Sequence, residues 1–352
     1  METAGEDFLA SGEPTIPHGI NSYPLLQHVG NGDIEAIDDI LSQAVSLGRP
    51  IVRTNAFMDG GQNPARLRDD DGSIRPEGLE ALDTIVARAR AAGVSLILIL
   101  ANNWSDYGSA PAVVEMVAPG EGLPKDAFWS EPRALQAQRD YVQTLVARQN
   151  TVTGLDYRTD PTVLGWELAN EARCEDPGWC DGDTLPDWAR EMTSAIREAG
   201  ASQPVFWGGA GHAGEHGEDL EAIGLRGGVD VLTVHLYLEH THGYLKLLPE
   251  DVRIEGAVQA GARILEDRID TARALGMPLV VEELGWKPSS KSDPDAERAE
   301  IYEGWLSVAH FEGIATAPWM IGERGREDYD GLLITPEWEL TWDVISCAGL
   351  SE

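Results

Sequence analysis

Eight short runs of apolar and β-branched residues recur along the 352-residue chain, at 16–23, 50–57, 94–102, 163–169, 204–208, 231–237, 278–284 and 315–321. Between them apolar residues return at three- and four-residue steps, the spacing of an amphipathic helix. The stretch from Gly78 to Ala92 is such a helix, and Gly93 stops it one residue before the next run. Strand runs alternating with helical spacing predict parallel β-α-β units. Eight units in a chain of this length predict a closed (β/α)8 TIM barrel, with an open doubly wound sheet as the alternative. No Pro/Ser/Gly-rich linker and no repeat divides the sequence. Residues 1–352 therefore read as one domain, with 1–15 a flexible N-terminal segment. No apolar run reaches the roughly 18 residues that span a bilayer.

In a barrel of this kind the C-terminal ends of the strands converge on one mouth, where such folds place their chemistry. Here those ends carry Arg53, Asn102-Asn103-Trp104, Asn170-Glu171, His235 with Tyr237, Glu282-Glu283 and Trp319. Each has a plain alternative: Arg53 an ion-pair partner, Trp319 a core residue, Glu171 a helix-cap acid. Six strand ends loaded this way are not surface decoration. Glu171 and Glu283 end the fourth and seventh strands, which lie across a barrel from one another. Paired carboxylates of unequal pKa are what glycoside hydrolysis needs: one protonates the leaving oxygen, the other attacks the anomeric carbon. Retaining enzymes hold such a pair ~5–5.5 Å apart. Arg53 and the Tyr237 hydroxyl are placed to keep the nucleophile ionised, and Asn170 to bond a sugar 2-hydroxyl. Glu167 and Glu282 share those strands with side chains expected to alternate away, and read as structural. The chemistry needs no cofactor and no metal.

These residues carry a resemblance. Val163-Leu-Gly-Trp-Glu-Leu-Ala-Asn-Glu-Ala-Arg-Cys174 resembles the strand-four signature of glycoside hydrolase family 5, above all its β-mannanases, in which Asn-Glu holds the general acid/base. Val280-Val-Glu-Glu-Leu-Gly285 is similar to the strand-seven nucleophile signature, which matches Glu283. Ile51-Val-Arg-Thr-Asn-Ala-Phe57 resembles the strand-two segment with the family's Arg, and Ala101-Asn-Asn-Trp-Ser-Asp-Tyr-Gly108 the mannanase strand-three loop. Val234-His-Leu-Tyr237 and Pro318-Trp319-Met320 match the strand-six and strand-eight motifs. The resemblance runs in order from about Gly19 to Trp319. It implies a retaining endo-β-mannanase acting on β-1,4-linked mannan or glucomannan, with Glu171 as acid/base and Glu283 as nucleophile. Arg53, Asn103, Trp104, Asn170, His235, Tyr237, Trp286 and Trp319 would bind substrate. Ala172 stands where the family has Pro, and Asn55 where a stacking Trp is expected. Those departures leave an exo-β-mannosidase or a β-glucanase as alternatives.

Trp104, Trp286 and Trp319 follow or end strands and are the candidates for stacking on sugar, with Trp129, Trp207 and Trp179 behind them; Trp166, Trp188, Trp305, Trp338 and Trp342 fall in core patterns. Gly209-Ala-Gly211-His-Ala-Gly214 fits the dinucleotide fingerprint but follows the fifth run rather than the first, so a nicotinamide oxidoreductase is the lesser reading, as is a sugar-binding barrel. His212 and His216 lack the helical spacing of a zinc motif; His240 and His242 read as rim residues. Acidic residues outnumber basic ones 60 to 26, for a net charge of −34, and only four of the basic residues are lysines. Such a surface repels phosphate backbones and anionic lipid, so nucleic acid and membrane are excluded in favour of a neutral oligosaccharide or polysaccharide, bound by a monomer. It also suits life in salt. Cys174 and Cys180 stand six apart, where a bridge and two free thiols are equally open. The expected destination is extracellular, through a signal segment absent from this chain, with a cytoplasmic protein as the alternative.

Overall fold

The computed structural model describes residues 1–238, 242–290 and 292–347. Three short antiparallel strands come first, β1 (Glu2–Ala4), β2 (Asp7–Ala10) and β3 (Glu13–Thr15). Eight parallel strands follow: β4 (Ile20–Asn21), β5 (Ile51–Asn55), β6 (Ser95–Ile99), β7 (Val163–Glu167), β8 (Val205–Phe206), β9 (Leu232–Leu236), β10 (Leu279–Leu284) and β11 (Ala315–Thr316). Each lies inside one of the eight runs. They pair in order as β4 to β8 and as β9 to β11. Two seams close the ring. Trp207 N donates to Val231 O (3.1 Å), joining β8 to β9, while Gly19 N donates to Thr316 O (2.9 Å) and Asn21 N to Pro318 O (3.1 Å), joining β4 to β11. The fully buried Arg49 clamps the second seam, donating to Gly19 O (3.1 Å) and Thr316 O (3.0 Å).

Helices α1 (Leu25–Asn31), α2 (Ile34–Ser46), α3 (Pro76–Ala92), α4 (Ala110–Val117), α5 (Pro132–Val146), α6 (Thr184–Glu198), α7 (Leu220–Arg226), α8 (Glu250–Leu275), α9 (Pro294–Phe311) and α10 (Glu339–Cys347) accompany the strands. The helix read from Gly78 to Ala92 is α3. Pro76 opens it, where its missing N–H costs nothing, and Gly93 ends it at φ 73°, its N–H returning to Ala89 O and Arg90 O. Buried faces of α2, α3, α5, α6 and α9 pack on the strands in one continuous apolar layer. Among the described residues no helix is long and apolar enough to cross a membrane.

The N-terminal segment departs from expectation. Residues 1–15, read as flexible, form the β1–β3 sheet across the N-terminal end of the barrel. Positive φ angles at Gly5, Ser11 and Gly12 turn the chain back twice. Phe8, 5% exposed, then joins Ile51, Ile97, Leu164, Phe206, Val231, Val280 and Ala315 to seal that end. Burying one such aromatic stabilises by roughly 1.5–3 kcal/mol.

Candidate active site

Arg53 organises the mouth. It lies on β5 with no exposed surface, and its guanidinium fork is filled on every side. Nε and Nη2 donate to the two oxygens of Glu167 (2.7 and 2.6 Å), and Nη2 also to Asn170 Oδ1 (2.8 Å). Nη1 donates to Asn21 Oδ1 (2.9 Å), the Tyr23 hydroxyl (3.0 Å) and Glu283 Oε1 (2.5 Å). Burial opposes the arginine's charge, but Glu167, Tyr23, Glu282 and Glu283 outweigh it and raise its pKa. Glu167 and Glu282, expected to face away, both lie against this cation. Glu282 is 3.5 Å from Nε, and both acids are wholly buried.

Glu283 sits on β10 opposite His235 of β9. Besides Arg53 it accepts from the Tyr237 hydroxyl at Oε2 (2.7 Å), and His235 Nδ1 stands 3.5 Å away. These two donors fix the orientation of the Glu283 carboxylate. Glu171 follows β7 at φ 48°, a left-handed backbone that turns its side chain into the cleft. The Trp104 indole N–H donates to Glu171 Oε2 (2.7 Å), and His235 Nδ1 lies 3.0 Å from Oε1. Burial alone would raise Glu171. The bond and charge of His235, the Trp104 bond and the charge of Arg173 outweigh it and lower the pKa to about 2. His235 moves the opposite way. Burial works against its charge, yet Glu283, Glu171 and Glu282 raise it to about 10. One oxygen of each glutamate and His235 Nδ1 all lie within 4.8 Å of one another.

A cavity of about 770 Å³ opens over this pair. Glu171, Glu283, Asn170, Trp104, Tyr237 and Trp319 line it, as the sequence suggested. Four of the residues expected to bind substrate do not line it: Arg53 and His235 are buried and reach it only through the glutamates they hold, and Asn103 and Trp286 turn elsewhere. Asn103 is fully buried with its Oδ1 on Lys125 Nζ (2.7 Å), and the neighbouring Asn102 lines the cavity instead, its Oδ1 taking a bond from Asn170 Nδ2 (3.0 Å). Trp286 is 1% exposed, its indole N–H on Glu297 (2.9 Å), so it serves the core. Trp129 and Trp207 are buried as well. Sequence reasoning missed Tyr23, Gln27, Tyr107, Arg326 and Tyr329 on the wall, and Arg173, whose guanidinium stacks 4.8 Å over Trp104. Tyr107 was the most readable of these, since it stands in the strand-three loop beside Trp104.

The other candidates resolve on geometry. Cys174 and Cys180 are bridged, so they offer no thiolate to a metal beside Asp126. Glu171, His235 and Glu283 have metal-like spacing, with His235 Nδ1 paired to both carboxylates at 3.0 and 3.5 Å. The glycine-rich loop at 209–214 turns its amides onto a protein acid. Glu218 accepts from Gly211 N (3.1 Å) and His212 N (3.2 Å), occupying the place a phosphate would take. His212 and His216 meet edge to face at 4.9 Å. His240 lies outside the described residues.

A family model described as "GH family 5 beta-mannosidase-like" matches residues 3–303. The chain is 32% identical over 306 residues to mannan endo-1,4-beta-mannosidase 8 of Oryza sativa subsp. japonica, which covers 81% of this chain and 79% of that protein. An endo-beta-1,4-mannanase structure from Thermotoga petrophila superposes with a TM-score of 0.83 at 28% identity, over 97% of this chain and 78% of that one. The endo-1,4-beta-mannanase of Rhizomucor miehei shares the fold with a TM-score of 0.85 at 24% identity, over 100% and 99% of the two chains.

Proposed function

The chain belongs to glycoside hydrolase family 5, in its β-mannosidase-like branch, and is a glycoside hydrolase; on that premise we propose that it cleaves β-1,4-mannan internally, by retaining double displacement. The observation that carries the mechanism is the spacing of Glu171 and Glu283. An oxygen of each lies within 4.8 Å of the other, which supports direct attack rather than attack through an interposed water.

In the first step a Glu283 oxygen bonds to the anomeric carbon as the bond to the leaving oxygen breaks, and that oxygen takes a proton delivered by Glu171. In the second, Glu171 takes a proton from water, whose oxygen displaces Glu283 and releases the sugar with its original configuration. At rest His235 Nδ1 stands between the two glutamates, whose charges favour the protonated ring, while its bond lowers the pKa of Glu171. The charge of Glu283 is the stronger of the two. As Glu283 bonds to the anomeric carbon its charge is neutralised, which weakens the hold of His235 on the proton beside Glu171 while the leaving oxygen is taking it. Asn170, fixed by Arg53 and Asn102, presents its remaining amide hydrogen to the sugar 2-hydroxyl. Trp319 and Trp104 give the flat faces that sugar rings stack on.

The Cys174–Cys180 bridge, beside the site, supports an oxidising destination and hence secretion; we read the enzyme as a monomer. Product analysis on mannohexaose tests the reading. Mid-length mannooligosaccharides from the earliest time points are expected. Release of mannose alone would mean exo action, the reading that the family's β-mannosidase-like description favours, and cleavage of cellohexaose alone would overturn the substrate.

A further inference from the structure

Glu282 is a buried acid that the double displacement leaves without work. Strand alternation should point it away from Glu283, but β10 carries a register shift against β9. Val281 pairs with Val234 and Glu283 with His235, leaving Glu282 as the extra residue between them. A bulge of this kind re-aims a side chain, and here both consecutive glutamates face the barrel interior. Glu282 has no exposed surface, and among the described residues neither of its oxygens has a hydrogen-bond partner. Its nearest cations are Arg53 Nε at 3.5 Å, already bound more closely by Glu167, and His235 Nε2 at 3.7 Å. His235 Nε2 is likewise without a hydrogen bond. On the other edge of the same ring, Nδ1 meets Glu171 at 3.0 Å and Glu283 at 3.5 Å.

We propose that Glu282 is a positioning residue for the acid/base: it grips the His235 imidazolium from behind and sets the pH above which Glu171 can no longer deliver a proton. The proposal rests on the reading of Glu171 as acid/base. The titratable groups around the imidazole are Glu171 and Glu167 of the β7 segment, Glu282 and Glu283 of β10, and Glu218 ahead of α7, with Arg53 of β5 paired to Glu167, Glu282 and Glu283; burial raises the pKa of Glu167 and Glu218. Of these, Glu282 alone meets Nε2 within ion-pair distance among the described residues. An acid this close favours the protonated ring, and both N–H groups are needed if one is to face Glu282 while the other serves Glu171. Replacing the acid by an amide removes the rear charge, and the proton shared with Glu171 is then lost at lower pH.

Two measurements test this. In the wild-type enzyme, nitrogen NMR of ¹⁵N-histidine-labelled protein should show His235 doubly protonated through pH 8; a neutral ring at pH 7 would overturn the proposal without any variant. In Glu282→Gln, the alkaline limb of kcat/KM on mannohexaose should move about one pH unit or more toward acid. The limb for an aryl β-mannoside with a good leaving group should stay in place, because that leaving group needs no proton. A uniform loss of rate with an unmoved alkaline limb on mannohexaose would make Glu282 merely structural. If Glu171→Gln impairs both substrates alike, the acid/base assignment itself fails, which is a separate outcome.

Discussion

Removing Arg53 leaves Glu167, Glu282 and Glu283 facing one another inside the barrel without their common cation. Breaking a buried ion pair from one side costs about 3–5 kcal/mol, because the stranded charges stay desolvated. Arg53→Met is therefore expected to lower unfolding free energy by about that amount in urea titration, along with abolishing turnover. Glu171→Gln should reduce kcat on mannohexaose by about 10²–10⁴, the usual worth of a general acid, while sparing glycosylation by an activated aryl mannoside. These positions were legible because Arg, Asn and Glu at strand ends make little sense in a core. The role of Glu282 was not, since a bulge leaves no mark in an apolar run. Asn102 and Asn103 could not be told apart either: which of two adjacent amides faces the cleft depends on the turn after β6. Trp286 misled because a tryptophan just past a strand reads the same whether it meets sugar or, as here, Glu297.

At the level of elements, one of the two seams in the ring is β11–β4, made by short strands and held by Arg49 and His18. His18 Nδ1 accepts from Thr316 N (3.3 Å) and lies 3.1 Å from the Thr316 hydroxyl, which requires the ring nitrogen to be unprotonated. Burial, with Arg49 and His310, lowers its pKa to about 4. An unfolded His titrates near 6.5, so the folded form resists protonation. Its contribution is intact above pH 6.5 and is lost as pH falls toward 4, roughly 3 kcal/mol in all. The melting temperature is expected to drop across that window, and His18→Gln to flatten this part of the curve. All eight barrel strands were legible, since each is an apolar run bounded by helical spacing. The β1–β3 sheet was not: its strands are three or four residues long and mostly exposed, and only the Gly5 and Ser11-Gly12 turns hinted at it.

For the molecule as a whole, a net charge of −34 on one barrel is a standing repulsion that any fold of this sequence must outlast. Screening it favours the compact state, so the melting temperature at neutral pH should rise by about 2 °C or more between 0.05 and 1 M NaCl; a fall would place the dominant electrostatics in the buried pairs. The charge says nothing of the proposed reaction, which would rest on two glutamates that stand 112 residues apart in sequence and meet in the cleft. The decisive measurement is to trap the enzyme with a 2-deoxy-2-fluoro-β-mannosyl fluoride and locate the adduct by peptide mass spectrometry. A single ester on Glu283 is the predicted result. An adduct on Glu171 or Glu282, or steady turnover with inversion and no adduct, would contradict the account.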